Sequence, residues 1–356
     1  MDNLGKLQGL CAELELDALM LTGDVNRRYA TGLNSSAGMV VITPSNALFS
    51  TDFRYIEAAR EKLTGFEVVM CTRDETYHVI MSWRAEELGL KRVGFEENLR
   101  SVKSHETWKE KLNGLEWVGA QKGIAGVRAV KEPREIESMI AAQRIAEKTF
   151  NEALNIIRAG MTERELAAEI IYRLLKNGAE KPSFEPIIVG GPNSSLPHGE
   201  PGDRPLQNGD FLIMDFGCVS GGYCSDMTRT VAIGHATDEM REVYDIVRRA
   251  QTAGIAAAKA GVTGAEIHET AAAVIEAAGY GEFFGHGFGH GIGMEVHEEY
   301  NASPSEERGL KEGMVISAEP GIYLPGKFGV RIEDVIVIRE NGCDNLMEAS
   351  KELIVL

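Results

Sequence analysis

Two stretches of this chain repeat each other 101 residues apart. Ala159-Gly160-Met161-Thr162-Glu163-Arg164-Glu165-Leu166 returns as Ala260-Gly261-Val262-Thr263-Gly264-Ala265-Glu266-Ile267. In each copy a Thr and a Glu stand three apart, the capping box that opens a helix by satisfying free backbone N–H groups. Each helix then reaches a glycine, Gly178 or Gly279, again 101 apart, where a left-handed residue would end it. A long helical run precedes each copy (135–158 and 238–259), and a β region follows each. Two capped helices can resemble each other by chance, but matching starts and stops argue for a structural repeat. Two copies in one domain predict a pseudo-twofold with a cleft between them.

The β region after the first copy carries Asp210-Phe211-Leu212-Ile213-Met214-Asp215-Phe216-Gly217-Cys218-Val219-Ser220-Gly221-Gly222-Tyr223-Cys224-Ser225-Asp226. A turn centred on Ser220-Gly221 predicts a hairpin whose paired numbers sum to 441, with Asp215 directly opposite Asp226. Facing side chains have Cβ atoms about 5 Å apart, and like charges there repel. Two acids so placed need a cation or a shared proton between them. The alternative is an edge hairpin with two solvated acids. The second copy has its own version, Glu319-Pro320-Gly321-Ile322-Tyr323-Leu324-Pro325-Gly326-Lys327-Phe328-Gly329-Val330-Arg331-Ile332-Glu333. Folded about Gly326, it pairs Glu319 with Glu333 and puts Arg331 on the face of Glu333. Four acids from two hairpins suit no proton-sharing scheme, so a metal is the economical explanation.

Between the acidic pairs lies Gly285-His286-Gly287-Phe288-Gly289-His290-Gly291-Ile292-Gly293-Met294-Glu295-Val296-His297-Glu298. Its glycines exclude the helix that a HExxH zinc site needs, and their spacing does not fit a dinucleotide loop. In extended chain His286 and His290 share a face, and the glycines leave backbone bare for a substrate. Phe288, on the same stretch, is expected to wall a pocket with His286. His198, in Pro197-His198-Gly199, is a further candidate. An imidazole with four carboxylates suits Mn2+, Co2+ or Fe2+, with Zn2+ admissible. Four negative charges balance two divalent ions, which points to metal-assisted hydrolysis, most simply of an amide.

Residues 1–125 alternate short strands and helices. Strands are predicted at 16–21, 39–43, 47–50, 66–71 and 92–95, and helices at 4–14, 55–62 and 77–88: an α/β layer domain without a catalytic cluster. Asn26-Arg27-Arg28-Tyr29 and Asp52-Phe53-Arg54-Tyr55 read as strand-to-helix connections. A boundary falls at 125–133, where Pro133 and Glu135 suit the first turn of a new helix.

Composition narrows the partners. With 37 basic against 54 acidic residues, net charge −17, the chain lacks the positive face that nucleic acid or an anionic membrane demands. The N-terminus lacks a signal-peptide layout, and no apolar run reaches the roughly 20 residues of a membrane span. The five cysteines (11, 71, 218, 224, 343) form no CxxC, which suggests free thiols in a reducing cytoplasm, with Cys218 and Cys224 as packing residues.

The order Asp215, Asp226, His290, Glu319, Glu333, with Gly289-His290-Gly291-Ile292-Gly293 and Glu319-Pro320-Gly321-Ile322-Tyr323, resembles the pita-bread metallopeptidases. These include prolidase, aminopeptidase P and methionine aminopeptidase. The match spans about 130–356 and all five ligand positions. The preceding domain resembles the creatinase-type N-terminal domain, which methionine aminopeptidases lack and Xaa-Pro peptidases carry. The resemblance therefore implies a creatinase-like α/β domain at 1–125 and an α+β pita-bread catalytic domain with an internal pseudo-twofold at 126–356. It implies Xaa-Pro hydrolysis at the N-terminus of short proline-containing peptides, with two divalent ions, Mn2+ or Co2+ first. Asp226 and Glu333 would bridge both ions, Asp215 would complete one site, and His290 with Glu319 the other. Glu319 would serve as general base, and His198 and His297 would contact substrate. His286 would line the proline pocket, with Tyr323 and Arg331 behind the ligands and Arg331 orienting a carboxylate. Relatives often dimerise, which by analogy implies a homodimer. Two other readings stand beside this one: a non-catalytic relative that binds a protein partner, and a creatinase-like hydrolase that needs no metal.

Overall fold

The computed structural model describes residues 2–356 and divides into two compact units, 1–128 and 129–356. In the first unit the order is α1 (Asn3–Glu13), β1 (Ala18–Leu21), α2 (Asp24–Thr31), β2 (Met39–Ile42), β3 (Ala47–Thr51), α3 (Ile56–Lys62), β4 (Glu67–Met70), α4 (Tyr77–Leu88), β5 (Arg92–Phe95), α5 (Val102–Lys111), β6 (Glu116–Gly119) and α6 (Gln121–Ala129). The six strands form one mixed sheet, β4-β3-β2-β1-β5-β6. Ala18 and Met20 face a cluster with Ile80, Met81 and Trp108, while the equally buried Leu19 and Leu21 alternate to the other face. Burial on both faces explains why the central strands β1 and β2 read as continuous apolar runs.

Every element expected within 1–125 is present, with ends within two residues. Asn26-Arg27-Arg28-Tyr29 is not a connection, however: it lies inside α2. Its polar side chains are held from outside the helix. Asn26 donates to Glu96 at 2.7 Å, and Arg27 donates to the Ser35 carbonyl at 2.7 Å. Tertiary partners thus bury residues that have no apolar periodicity of their own. Asp52-Phe53-Arg54-Tyr55 does connect β3 to α3.

The second unit opens with α7 (Pro133–Leu154), whose N-terminus is closed by a Glu132/Glu135 capping box with Pro133 in the first turn. Then follow α8 (Glu163–Lys176), β7 (Lys181–Pro182), β8 (Ile187–Gly190), β9 (Phe211–Phe216), β10 (Cys218–Ser220), β11 (Tyr223–Cys224) and β12 (Met227–Ala232). The second copy contributes α9 (Asp238–Ala257), α10 (Gly264–Ala277), β13 (Gly289–Gly291), β14 (Glu298–Ala302), β15 (Val315–Ala318), β16 (Gly321–Leu324), β17 (Phe328–Arg331), β18 (Asp334–Arg339), β19 (Gly342–Asn345) and β20 (Ile354–Val355).

The repeat holds to the level of single hydrogen bonds. Both capping boxes form, at Thr162/Glu165 and at Thr263/Glu266. Gly178 and Gly279 both take positive φ, 106° and 85°, just past their helices. Gly160 N–H donates to the Leu206 carbonyl and Gly261 N–H to the Leu310 carbonyl, each at 2.8 Å. Helices α7 and α8 pack on the sheet β20-β12-β9-β8, while α9 and α10 share a core with the sheet β14-β13-β15-β18-β19. Among the described residues no helix is long and apolar enough to cross a membrane.

The hairpins between these sheets differ in how well their turns could be anticipated. The second folds as expected: Gly321 pairs with Arg331 and Leu324 with Phe328, so Glu319 and Glu333 continue the same register. The first is shifted by two. Ser220 pairs with Tyr223 and Asp215 with Thr228, so Asp215 and Asp226 are diagonal neighbours, not directly opposed. The turn sits on Gly221 and Gly222, with φ of 58° and 84°. A two-residue turn with both central residues at positive φ matches the twist of its strands, and Gly-Gly meets that demand where Ser-Gly does not.

Candidate active site

Ten side chains expected at the site line one cavity of about 640 Å3: Asp215, Asp226, His290, Glu319, Glu333, His198, His286, His297, Tyr323 and Arg331. Asp215 comes from β9, Asp226 from the link between β11 and β12, His290 from β13, Glu319 from the end of β15, and Glu333 from between β17 and β18. The pseudo-twofold relates Asp215 to Glu319 and Asp226 to Glu333, so each copy supplies one pair of acids.

These acids are deeply placed. Asp215, Asp226 and Glu333 are 7 %, 4 % and 1 % exposed. One oxygen on each, Asp215 Oδ1, Asp226 Oδ1 and Glu333 Oε1, is buried without a hydrogen-bond partner among the described residues. Buried polar atoms are ordinarily paired, so unpartnered oxygens on three acids that line one cavity call for a cation. Asp226, His290 and Glu333 each offer a ligand atom, and these lie within 4.8 Å of one another.

Electrostatics show the same demand for positive charge. Burial pushes the Asp226 and Glu333 carboxyls well above the usual carboxylate range, and the charges of neighbouring acids add to it. Burial also raises Asp215, with the Arg331 charge opposing. Burial would depress His290, but Glu319 at 3.1 Å from Nε2 and the charge of Asp226 outweigh it and push the imidazole up to about 9. Burial would raise Glu319, but the hydrogen bond and charge of His290 outweigh it and bring the carboxyl down to about 2. A metal-free cluster therefore keeps protons on His290 and on buried acids, and a divalent cation would displace them.

A layer of hydrogen bonds aims these groups. His290 Nδ1 lies 3.2 Å from the Gly291 carbonyl, which can only accept, so Nδ1 carries the proton and Nε2 faces the acids. Arg331 Nη2 donates to Asp215 Oδ2, Nη1 to the Tyr323 hydroxyl at 2.8 Å and to the Pro197 carbonyl at 3.2 Å, beside His198. His286 is fixed in turn. Its Nδ1 donates to the Gly287 carbonyl at 2.8 Å, and its Nε2 accepts from the Tyr323 hydroxyl at 3.0 Å. Burial depresses its pKa, so the ring is neutral and offers the cavity carbon and hydrogen instead of a donor.

Two hydroxyls escaped the sequence reading. Thr228, the strand partner of Asp215, accepts from Arg331 Nε at 3.2 Å and donates to Glu333 Oε2 at 2.7 Å. Ser317 accepts from the His290 N–H at 2.9 Å and donates to Glu319 Oε1 at 3.0 Å. Their signal in the sequence is position alone: Ser317 is two residues before Glu319 on the same strand face. Phe288 corrects another expectation. It is fully buried in the second-copy core against Gly254 and forms no wall of the cavity. Regular strand begins only at Gly289, and β13 is bulged, so alternation does not extend back to Phe288.

Comparison with known proteins agrees with this geometry. Residues 137–340 match metallopeptidase family M24, and residues 4–130 match the creatinase/prolidase N-terminal domain. A Xaa-Pro dipeptidase of Pyrococcus furiosus is 37 % identical over 355 residues, covering 99 % of each chain. The solved Xaa-Pro dipeptidase from Bacillus anthracis superposes with a TM-score of 0.95 at 37 % identity, covering 99 % of both chains. An X-Pro aminopeptidase structure from Thermotoga maritima gives 0.92 at 36 % identity, covering 97 % of this chain and 99 % of that one. With paired acids from two related halves, a buried histidine among them and these matches along nearly its whole length, the chain belongs to metallopeptidase family M24, preceded by a creatinase/prolidase N-terminal domain.

Proposed function

We propose that this enzyme hydrolyses the Xaa-Pro bond at the N-terminus of short, unblocked peptides. The observation that carries the reading is the group Asp226, His290 and Glu333, whose ligand atoms lie within 4.8 Å of one another, with an unpartnered buried oxygen on each acid and on Asp215 in the same cavity. A non-catalytic relative, or a hydrolase without metal, would have no use for them. Family M24 works with a pair of metal ions. Asp226 and Glu333 would bridge the pair, Asp215 would complete one site, and His290 Nε2 with Glu319 the other. Bound there, divalent ions would polarise the scissile carbonyl and make water acidic enough to attack near neutral pH. An oxygen-rich donor set with one imidazole favours Mn2+ or Co2+, with Fe2+ and Zn2+ next.

The protein's own groups do the rest. Glu319, on the cavity wall beside His290, would take the proton of the attacking water. His198 and His297 reach the substrate from the cavity wall, His297 edge-on to His290 with ring centroids 4.3 Å apart. His286, with both nitrogens engaged, presents a flat carbon surface that suits a pyrrolidine ring. A bond to proline has no N–H on the scissile nitrogen, so a site built for it needs shape there, not an acceptor. The names of the relatives, dipeptidase and aminopeptidase, support the same bond. Five free thiols support a reducing cytoplasm, and a homodimer is proposed by analogy from the family resemblance alone.

The test is hydrolysis of matched Xaa-Pro and Xaa-Ala peptides by chelated enzyme, with and without added Mn2+ or Co2+. The reading expects metal-dependent cleavage that favours Xaa-Pro and is suppressed by acetylating the amino terminus. Equal kcat/KM on both peptides would replace it with a broad aminopeptidase.

A further inference from the structure

Glu298 directly follows His297, yet its side chain turns back into the protein. Its Oε1 accepts the backbone N–H groups of Met294 at 2.9 Å and Glu295 at 3.3 Å, and its Oε2 takes Lys131 Nζ at 2.9 Å. The two side chains are 5 % and 2 % exposed. Lys131 lies between α6 and α7, with its own N–H on the Gly313 carbonyl at 2.9 Å, just before β15. At the other end of the loop, the Gly293 carbonyl accepts the Cys224 N–H at 2.7 Å, two residues from Asp226. A Cβ on Gly293 would stand 2.7 Å from Glu298 Oε2, so glycine there lets the carboxylate in.

A buried ion pair is a poor way to gain stability, because desolvation cancels most of its attraction and apolar residues serve as well. This pair also clamps two backbone N–H groups of the loop that presents His297. We infer that Lys131 and Glu298 are positioning residues that hold His297 against the substrate, an inference that rests on the reading of His297 as a substrate contact.

The experiment compares Glu298→Gln, Gly293→Ala, His297→Ala and the double variant His297→Ala/Glu298→Gln, each assayed for kcat, KM and bound metal on a Xaa-Pro peptide. Gly293→Ala displaces the carboxylate but keeps both charges, so it covers the case in which Glu298→Gln folds poorly. The expected result for either is a kcat fall of up to about 100-fold, as misplacing one group by an ångström can cause, with KM and metal content near wild type. On the His297→Ala background, Glu298→Gln adds less than about threefold, because the loop then has nothing to aim. A fifth variant, Lys131→Met/Glu298→Gln, recovers thermal stability without recovering kcat. Multiplying effects of His297 and Glu298, metal loss, or joint recovery of stability and kcat overturn the inference. If His297→Ala slows turnover and both Glu298→Gln and Gly293→Ala do not, the positioning role alone falls. If His297→Ala itself is silent, the reading of His297 falls and takes this inference with it.

Discussion

Arg331 on the second hairpin donates to Asp215 on the first, and so fixes one oxygen of that acid while Oδ1 has no hydrogen-bond partner among the described residues. The same guanidinium reaches Thr228, Tyr323 and the Pro197 carbonyl, so one side chain aims groups from both halves of the repeat. Arg331→Met should therefore lower metal affinity or activity by about 10- to 100-fold, as losing a group that orients a ligand does. It should also destabilise the fold, since it strands a buried carboxylate, by about 3–5 kcal/mol. Arg331→Lys keeps the charge but not the fork, and should recover stability more than activity. Calorimetric metal titration beside thermal unfolding checks both; wild-type affinity in Arg331→Met contradicts the role.

His297 lies seven residues past His290 on a separate loop and meets it ring edge to face. His297→Ala should keep its metal and lose kcat by on the order of 100-fold, the usual cost of one donor to a developing oxyanion. Metal analysis of the purified variant decides the matter. Loss of metal would make His297 a ligand.

His286 is held by Tyr323 on one side and by the Gly287 carbonyl on the other, with Phe284 against its ring at 5.1 Å. His286→Ala should narrow the ratio of kcat/KM between Xaa-Pro and Xaa-Ala peptides while sparing metal content. An unchanged ratio would move the proline pocket elsewhere.

The repeat makes a stability prediction of its own. Thr162→Ala and Thr263→Ala remove equivalent caps, with hydroxyls accepting at 3.1 and 3.2 Å. Each should cost about 1 kcal/mol. Unequal losses in denaturant titrations would show that the two halves bear their capped helices differently.

How much of this could be read beforehand depended on local determinism. The capped helices were legible because Thr-x-x-Glu and a terminal glycine act within a few residues. The Glu319/Glu333 register was legible because Pro325-Gly326 admits one turn. The Asp215/Asp226 register was misplaced because Ser220-Gly221-Gly222 admits two, and only backbone φ chooses between them. Helix α2 was missed because Asn26 and Arg27 are buried by Glu96 and by the Ser35 carbonyl, partners distant in sequence or in a later loop. Thr228 and Ser317 carry a positional signal and nothing more for the same reason: a hydroxyl gains meaning only once the strands that surround it are assembled.

We propose Asp226 and Glu333 as ligands to both of a pair of divalent ions. The most direct test of this central claim is metal content per chain, by mass spectrometry, after reconstituting chelated wild type and Asp226→Asn with Mn2+. The account predicts two ions in the wild type, and in the folded variant a loss at both positions together with loss of turnover. Full metal content with near-normal hydrolysis in Asp226→Asn would contradict it.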